Sequence, residues 1–245
     1  YKRQQLEIAA YDDGNLDAPL VPSLPTKGKV TSESSIDELN VTKWELSNGI
    51  QVYIKPTDFQ ADQIIMQSFS PGGNSLVADE DYESASMAVS IVAQSGVGDF
   101  DLIQLNKKLS GKIASAAPSI SERSEGLSGR SSAKDLETML QLAHLYMTSP
   151  RADVKSFQSL LAQLKVVANN RLNDPSAVFS DAITKALYGD HPRHQPLTLE
   201  YLAKLDREKA FDIYRDRFAD ASDFTFFFVG TIDLPTLKPL VETYL

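Results

Sequence analysis

The stretch 85–100, ASMAVSIVAQSGVGDF, decides how the chain is read. Ala85, Ala88, Val89, Val92 and Ala93 recur at helical spacing, so the first ten residues form a helix with one apolar face. Their side chains are small enough for that helix to lie close to a sheet. Gly96 and Gly98 end it. Between Ala85 and Gly98 there is no His, Asp or Glu, so the helix carries no group suited to acid–base or metal chemistry.

Outward from this helix, the pattern is one of strands followed by helices. VTKWELSNGIQVYIKP (41–56) reads as two strands around Asn48-Gly49, a strong hairpin signal. DQIIMQSFS (62–70) is a third strand, closed by a turn at PGGNS. Residues 101–109 are a short helix. KIASAAPSI and SERSEGLSGRS suggest two more strands, with Pro118 marking a break or an edge. Leu136, Met139, Leu140, Ala143, Tyr146 and Met147 stripe one long helix, with Ser131 and Ser132 as capping candidates. Val154, Phe157, Leu160, Leu161, Leu164, Val167 and Ala168 stripe another. Asp174-Pro175 opens a further helix running to about Tyr188. Residues 205–218 are helical. FTFFFVG (224–230) reads as a buried strand with apolar residues on both faces. Asp233 and Pro235 lead into a last helix carrying Leu237, Leu240, Val241 and Tyr244. This order predicts an α+β domain with a mostly antiparallel sheet and helices packed on one face.

Residues 1–42 differ from the rest. DDGNLDAPLVPSLPTKGKVTSESS is rich in Pro, Gly, Ser and Asp, and is expected to be a linker or strap. Its DDGNLD run lacks the spaced ligands and closing Glu of a calcium loop. The predicted division is therefore a strap over 1–42 and a single domain over 43–245. The chain opens YKRQQLEIAA with neither an initiator Met nor a signal-peptide pattern, and is expected to be a piece of something longer, with room for a targeting signal upstream.

Of 245 residues, 42% are hydrophobic, which is globular composition. No apolar run approaches the roughly 18–20 residues that span a bilayer. Lysine and arginine total 24 against 33 acidic residues, for a net charge of −9. A chain this acidic, without a basic stripe, makes nucleic acid a poor partner. The balance favours basic or neutral peptides as ligands, by a weak argument. There is no cysteine, which removes thiol catalysis, disulfides and Cys-type zinc sites.

Four places invite a chemical reading. Asp190, His191 and His194 in YGDHPRHQP have the residue types of a metal site, but sit in a polar interhelical loop where they also suit turn geometry. His144 lies outside the apolar stripe of its helix, as a core-edge histidine would. SPGGNS reads as a hairpin turn, with a backbone anion nest as the alternative. ERSEGLSGRSS alternates charges and hydroxyls, like one solvated strand face or a peptide-contacting edge. None of them makes a catalytic constellation: no catalytic or metal residue is assigned, and no substrate-binding residue can be named.

The pattern as a whole does resemble a known family. NGIQVYIKP, the strand ending in PGGNS, the Ala-rich helix into SGVGDF, LSGKIASAAPSISERSEGLSGRSSAKDLETMLQLAHLYMTSPR, DIYRDRF and FTFFFVGTIDLPTLKPLVETYL together resemble the pitrilysin/insulinase zinc peptidases, over 42–245. That resemblance implies two similar halves, each of two α/β domains, closing around a peptide. It also implies zinc in an active half, bound by H-x-x-E-H on one helix and a Glu on a later one. Such a zinc lowers the pKa of its water to about 7. Here the matching helices are the opening stretch and VKSFQSLLAQLKVVANNRL (154–172), and neither holds a ligand. The resemblance therefore implies a domain of the non-catalytic second half, with a peptide and the catalytic half of the same polypeptide as partners. A scaffold or core-subunit domain without any proteolysis is the alternative. Bacterial relatives are often exported, which favours the periplasm by resemblance alone.

Overall fold

The computed structural model describes residues 17–245. A single sheet of seven strands organises them: β1 (Val30–Ile36), β2 (Val41–Leu46), β3 (Gln51–Pro56), β4 (Ile64–Pro71), β5 (Ala114–Ile120), β6 (Ser124–Ser131) and β7 (Thr225–Gly230), in spatial order β1-β2-β3-β7-β4-β6-β5. Every pairing is antiparallel except β3 with β7. The helices are α1 (Tyr82–Ser95), α2 (Leu102–Lys108), α3 (Leu136–Thr148), α4 (Val154–Asn170), α5 (Pro175–Tyr188), α6 (Leu199–Ala203), α7 (Arg207–Arg217) and α8 (Leu234–Tyr244). The fold class is the expected α+β.

Sequence signals account for most element ends. Gly49 takes φ 93° in the β2–β3 turn. Asp101 and Gln104 form a reciprocal capping box on α2, and the Asp174 carboxylate accepts from the Ser176 N–H ahead of Pro175 on α5. Asp233 does the same for Thr236 on α8. The N-cap of α3 is Asp135, not Ser131 or Ser132; the Ser132 hydroxyl instead donates to the Asp135 carboxylate.

The sheet is covered on one face. Along β4, residues alternate buried and exposed without exception. Trp44, Val52, Ile54, Ile64, Met66, Leu127, Phe226 and Phe228 point into the core, where Ile91, Met139, Tyr214, Leu237 and Val241 from the helices meet them. On the other face Ile65, Phe69, Phe227 and Val229 are each between 38% and 49% exposed. The strand over 224–230 is therefore apolar on both faces but buried on only one. Helix α1 packs on α7, α4 and β5, so its small residues serve helix–helix approach as much as sheet contact.

The sheet also begins earlier than the expected boundary at 43. Val30–Ile36 (VTSESSI) pairs with β2 as an edge strand. Its side chains are almost all polar because it is exposed on both faces, and such a strand has no hydrophobic alternation to announce it. Within the expected strap, Leu20 and Val21 are buried in the core; the part before residue 17 lies outside the described residues.

The other edge is β5, and Pro118 sits in its middle. Ser121 N donates to Ser124 O, and Ser132 N donates to Ile113 O. Alternation from these bonds turns odd-numbered backbone groups toward β6 and even-numbered ones, Pro118 included, outward. The free edge thus lacks a donor at its centre. Among the described residues no helix is long and apolar enough to cross a membrane.

Gly96 ends α1 at φ 81°, and a Cβ there would lie 2.2 Å from the Phe100 carbonyl oxygen. Gly96→Ala is expected to destabilise the fold by about 1–3 kcal/mol, read from the urea midpoint at unchanged m-value.

Candidate functional site

Helix α1 starts at Tyr82, three residues before the stripe that announces it, and this brings one carboxylate onto the helix. Glu83 is 4% exposed, and its Oε1 accepts from Lys204 Nζ at 2.6 Å. The rest of the polar equipment of α1 is used as joints. Ser84 Oγ accepts from Asp206 N, Ser86 Oγ and the Tyr201 hydroxyl lie 2.5 Å apart, and Ser95 Oγ accepts from Asp153 N. Burial and a 2.5 Å hydrogen bond to Glu122 raise the Tyr82 hydroxyl well above the usual tyrosine range. Helix α4 carries no His, Asp or Glu. The donor set a zinc ion needs is thus missing from both helices, and among the described residues no group of three or more His, Cys, Asp and Glu is placed to hold a metal.

The loop after α5 keeps Asp190, His191 and His194 near one another, but engages them separately. His191 Nδ1 accepts from Arg193 N at 3.2 Å, capping the short turn that follows. The His194 ring stacks on Tyr188 with centroids 3.8 Å apart. Asp190 lies 3.5 Å from Lys185, both well exposed. The residue that matters in this loop is Arg193, which the sequence did not single out. Its guanidinium donates to the Asp79 carboxylate at 2.6 Å, to Asn74 O at 2.9 Å and to Val77 O at 2.6 Å, and covers the Tyr82 ring. It ties the loop to the segment that leads into α1. The adjoining cleft of about 530 Å³ is polar, with its charges already engaged: Arg171 grips Asp181 through two nitrogens.

PGGNS is filled by the chain itself. Gly73 N donates to Glu125 Oε2 at 2.5 Å, and Ser70 Oγ donates to Oε1 at 3.1 Å. So Glu125 of β6 is a buried carboxylate, not part of a solvated face; on that strand the solvated positions are Ser128 and Arg130. Nor is β6 an edge, since it lies between β4 and β5. His144 is half-buried at the core edge, with Nδ1 2.9 Å from the Tyr244 carbonyl oxygen. Burial lowers its pKa, against a smaller opposing effect of that hydrogen bond.

The open face is the remaining broad feature. Register aligns Lys43, Tyr53, Phe227, Gln67, Ser128 and Ala117 in one row across the sheet, and Lys55, Val229, Ile65, Arg130 and Ser115 in the next. Tyr53 and Phe227 stack at 5.4 Å, and Lys43 Nζ lies 5.4 Å from the Tyr53 ring centre.

A one-sided, mostly antiparallel seven-stranded sheet under a layer of helices is an architecture this chain shares with M16 peptidase domains. The chain belongs to the pitrilysin/insulinase (M16) family of peptidases. No family model matches it, but individual relatives do. It is 31% identical over 241 residues to a zinc protease PQQL-like protein of Arabidopsis thaliana, covering 97% of this chain and 22% of that one. It is 27% identical over 222 residues to a probable zinc protease PqqL of Haemophilus influenzae, covering 89% of this chain and 23% of that one. The crystal structure of the periplasmic protease PqqL from Escherichia coli superposes with a TM-score of 0.77 at 20% identity, covering 98% of this chain and 26% of that one. The chain thus spans less than a quarter of the curated relatives it matches.

Two measurements check this geometry. Arg193→Ala should cost about 1–3 kcal/mol of stability in thermal unfolding, whereas His191→Ala with His194→Ala should cost less than about 1 kcal/mol and leave the zinc content after dialysis far below one per chain. Because the folded pKa of His144 is lowered, the unfolded chain takes up a proton first as pH falls through about 6.5. Stability should therefore decline between that pH and the lower folded value, and His144→Phe should remove this part of the slope.

Proposed function

We propose that the chain is a non-catalytic domain of a two-half zinc peptidase, helping to enclose and bind peptide while hydrolysis takes place in the other half. The observation that carries this reading is α1. The resemblance matches it to the family's zinc helix, and its one carboxylate is buried in an ion pair with Lys204. Zinc, when bound, would supply an activated water in the other half; among the described residues no group of three or more donors is placed to hold it. On this reading the domain takes in Leu20 and Val21 in its core and the edge strand Val30–Ile36.

The helical side supports a place within a larger assembly. Helix α5 buries none of its residues, and Phe179 and Leu187 are 67% and 70% exposed. A stripe of this kind on a soluble chain marks a surface that another unit covers. The whole polypeptide should carry H-x-x-E-H in a similar domain. It should cleave unfolded polypeptides in a reaction stopped by a chelator and restored by zinc, while this chain alone leaves them intact. Chelator-sensitive cleavage by this chain alone would refute the assignment. A whole polypeptide lacking the motif everywhere would leave a scaffold.

A further inference from the structure

We infer that the open face of the sheet is a docking surface for acidic, apolar peptide segments, which rests on the enclosing role proposed above. The chain as a whole has a net charge of −9. Yet the side chains that point away from the helices on β2, β3, β7, β4 and β6 include Lys43, Lys55 and Arg130 against Glu45 alone. Net charge therefore misleads here, and the local field favours the opposite ligand from the one composition suggests.

None of the three cations forms an ion pair among the described residues. Lys55 Nζ donates to the Leu39 carbonyl, Lys43 sits over Tyr53, and the Arg130 guanidinium faces the Gln63 side chain, whose amide oxygen accepts from it once oriented to do so. Between them lie Tyr53, Phe227, Val229 and Ile65, a continuous apolar strip. A cation at each end of an apolar strip complements a segment with carboxylates flanking aromatic or aliphatic residues.

The spacing is also specific. Lys55 and Arg130 stand at the two ends of Lys55–Val229–Ile65–Arg130, three inter-strand steps apart. At about 4.8 Å per step this is roughly 14 Å, a distance an extended peptide covers in about four residues. The β5 edge, next to Arg130 on β6, offers a poorer site, because Pro118 interrupts its outward donors. Recognition at this end of the strip thus falls to side chains on the face.

The test uses this chain and three labelled peptides: one with Asp or Glu at positions i and i+4 around Phe and Leu, one with Lys at those positions, and one with the acidic pair moved to i and i+1. Fluorescence anisotropy should show the first binding about tenfold more tightly than either other, with the advantage lost at high salt. Lys55→Glu with Arg130→Glu should reverse the preference, and Phe227→Ser should weaken all binding; both variants should keep the parent circular dichroism melt, since the sites are solvent-facing. Equal affinity for acidic and basic peptides, or unchanged preference in the double variant, overturns the inference. So does protection of the Tyr53 and Phe227 rings from hydroxyl-radical footprinting in the whole polypeptide without peptide, which would assign this face to a neighbouring domain. A whole polypeptide without chelator-sensitive activity would sink the peptidase reading and leave this charge preference standing.

Discussion

The rest of the structure depends on the alternation of β4 and β7, the central strands of a sheet covered on one side. Phe226 and Phe228 are wholly buried while Phe227, between them, is 40% exposed. A slip of one residue in either strand would carry Phe227 and Val229 into the core and expose Phe226 and Phe228. The helices can pack only where the inner row is, so register fixes the helical layer and the open face together. The parallel contact of β3 with β7 inserts a strand from the far end of the chain into the middle of the sheet, tying 51–56 to 225–230. That non-local pairing makes the fold a single cooperative unit and not a chain of hairpins.

The same layer explains how α1 is used. The polar groups of α1 hold the domain together. Glu83 reaches Lys204, Ser84 takes the Asp206 N–H that starts α7, and Ser95 takes the Asp153 N–H that starts α4. Hydroxyls and one carboxylate, each buried and each partnered, stabilise the joints between helices without offering an open coordination position. Glu125 repeats the theme on the sheet side, where the Gly73 N–H and the Ser70 hydroxyl satisfy it.

What the sequence reveals follows from how local the cause is. The β2–β3 hairpin is legible because Asn48-Gly49 dictates its turn, and α5 because Asp174-Pro175 dictates its start. The strand β1 is illegible because VTSESSI makes its contribution through backbone pairing with β2, and backbone pairing leaves no residue pattern. The exposure of Phe227 is equally hidden: TFFFV looks the same whether one face or both are covered, and only the location of the helices decides. Glu83 and Glu125 look like surface acids in the sequence, and become buried groups through partners more than 50 positions away. Arg193 is missed for the same reason, since Asn74, Val77 and Asp79 are distant in the chain. The histidines stand out by residue type, although the neighbouring arginine holds the loop.

A free strand edge is a hazard for any protein, because it invites a second copy to continue the sheet and the copies to grow into a fibre. The β5 edge meets that hazard with Pro118, at a position whose missing N–H interrupts the outward row of donors. A copy approaching this side finds only short stretches of backbone to pair with on either side of the ring. The domain can therefore be made at high local concentration, or crowd against its own kind, without polymerising from that flank. One imino acid thus protects solubility at no cost to the sheet, because the bond it gives up is one that no neighbouring strand was there to receive.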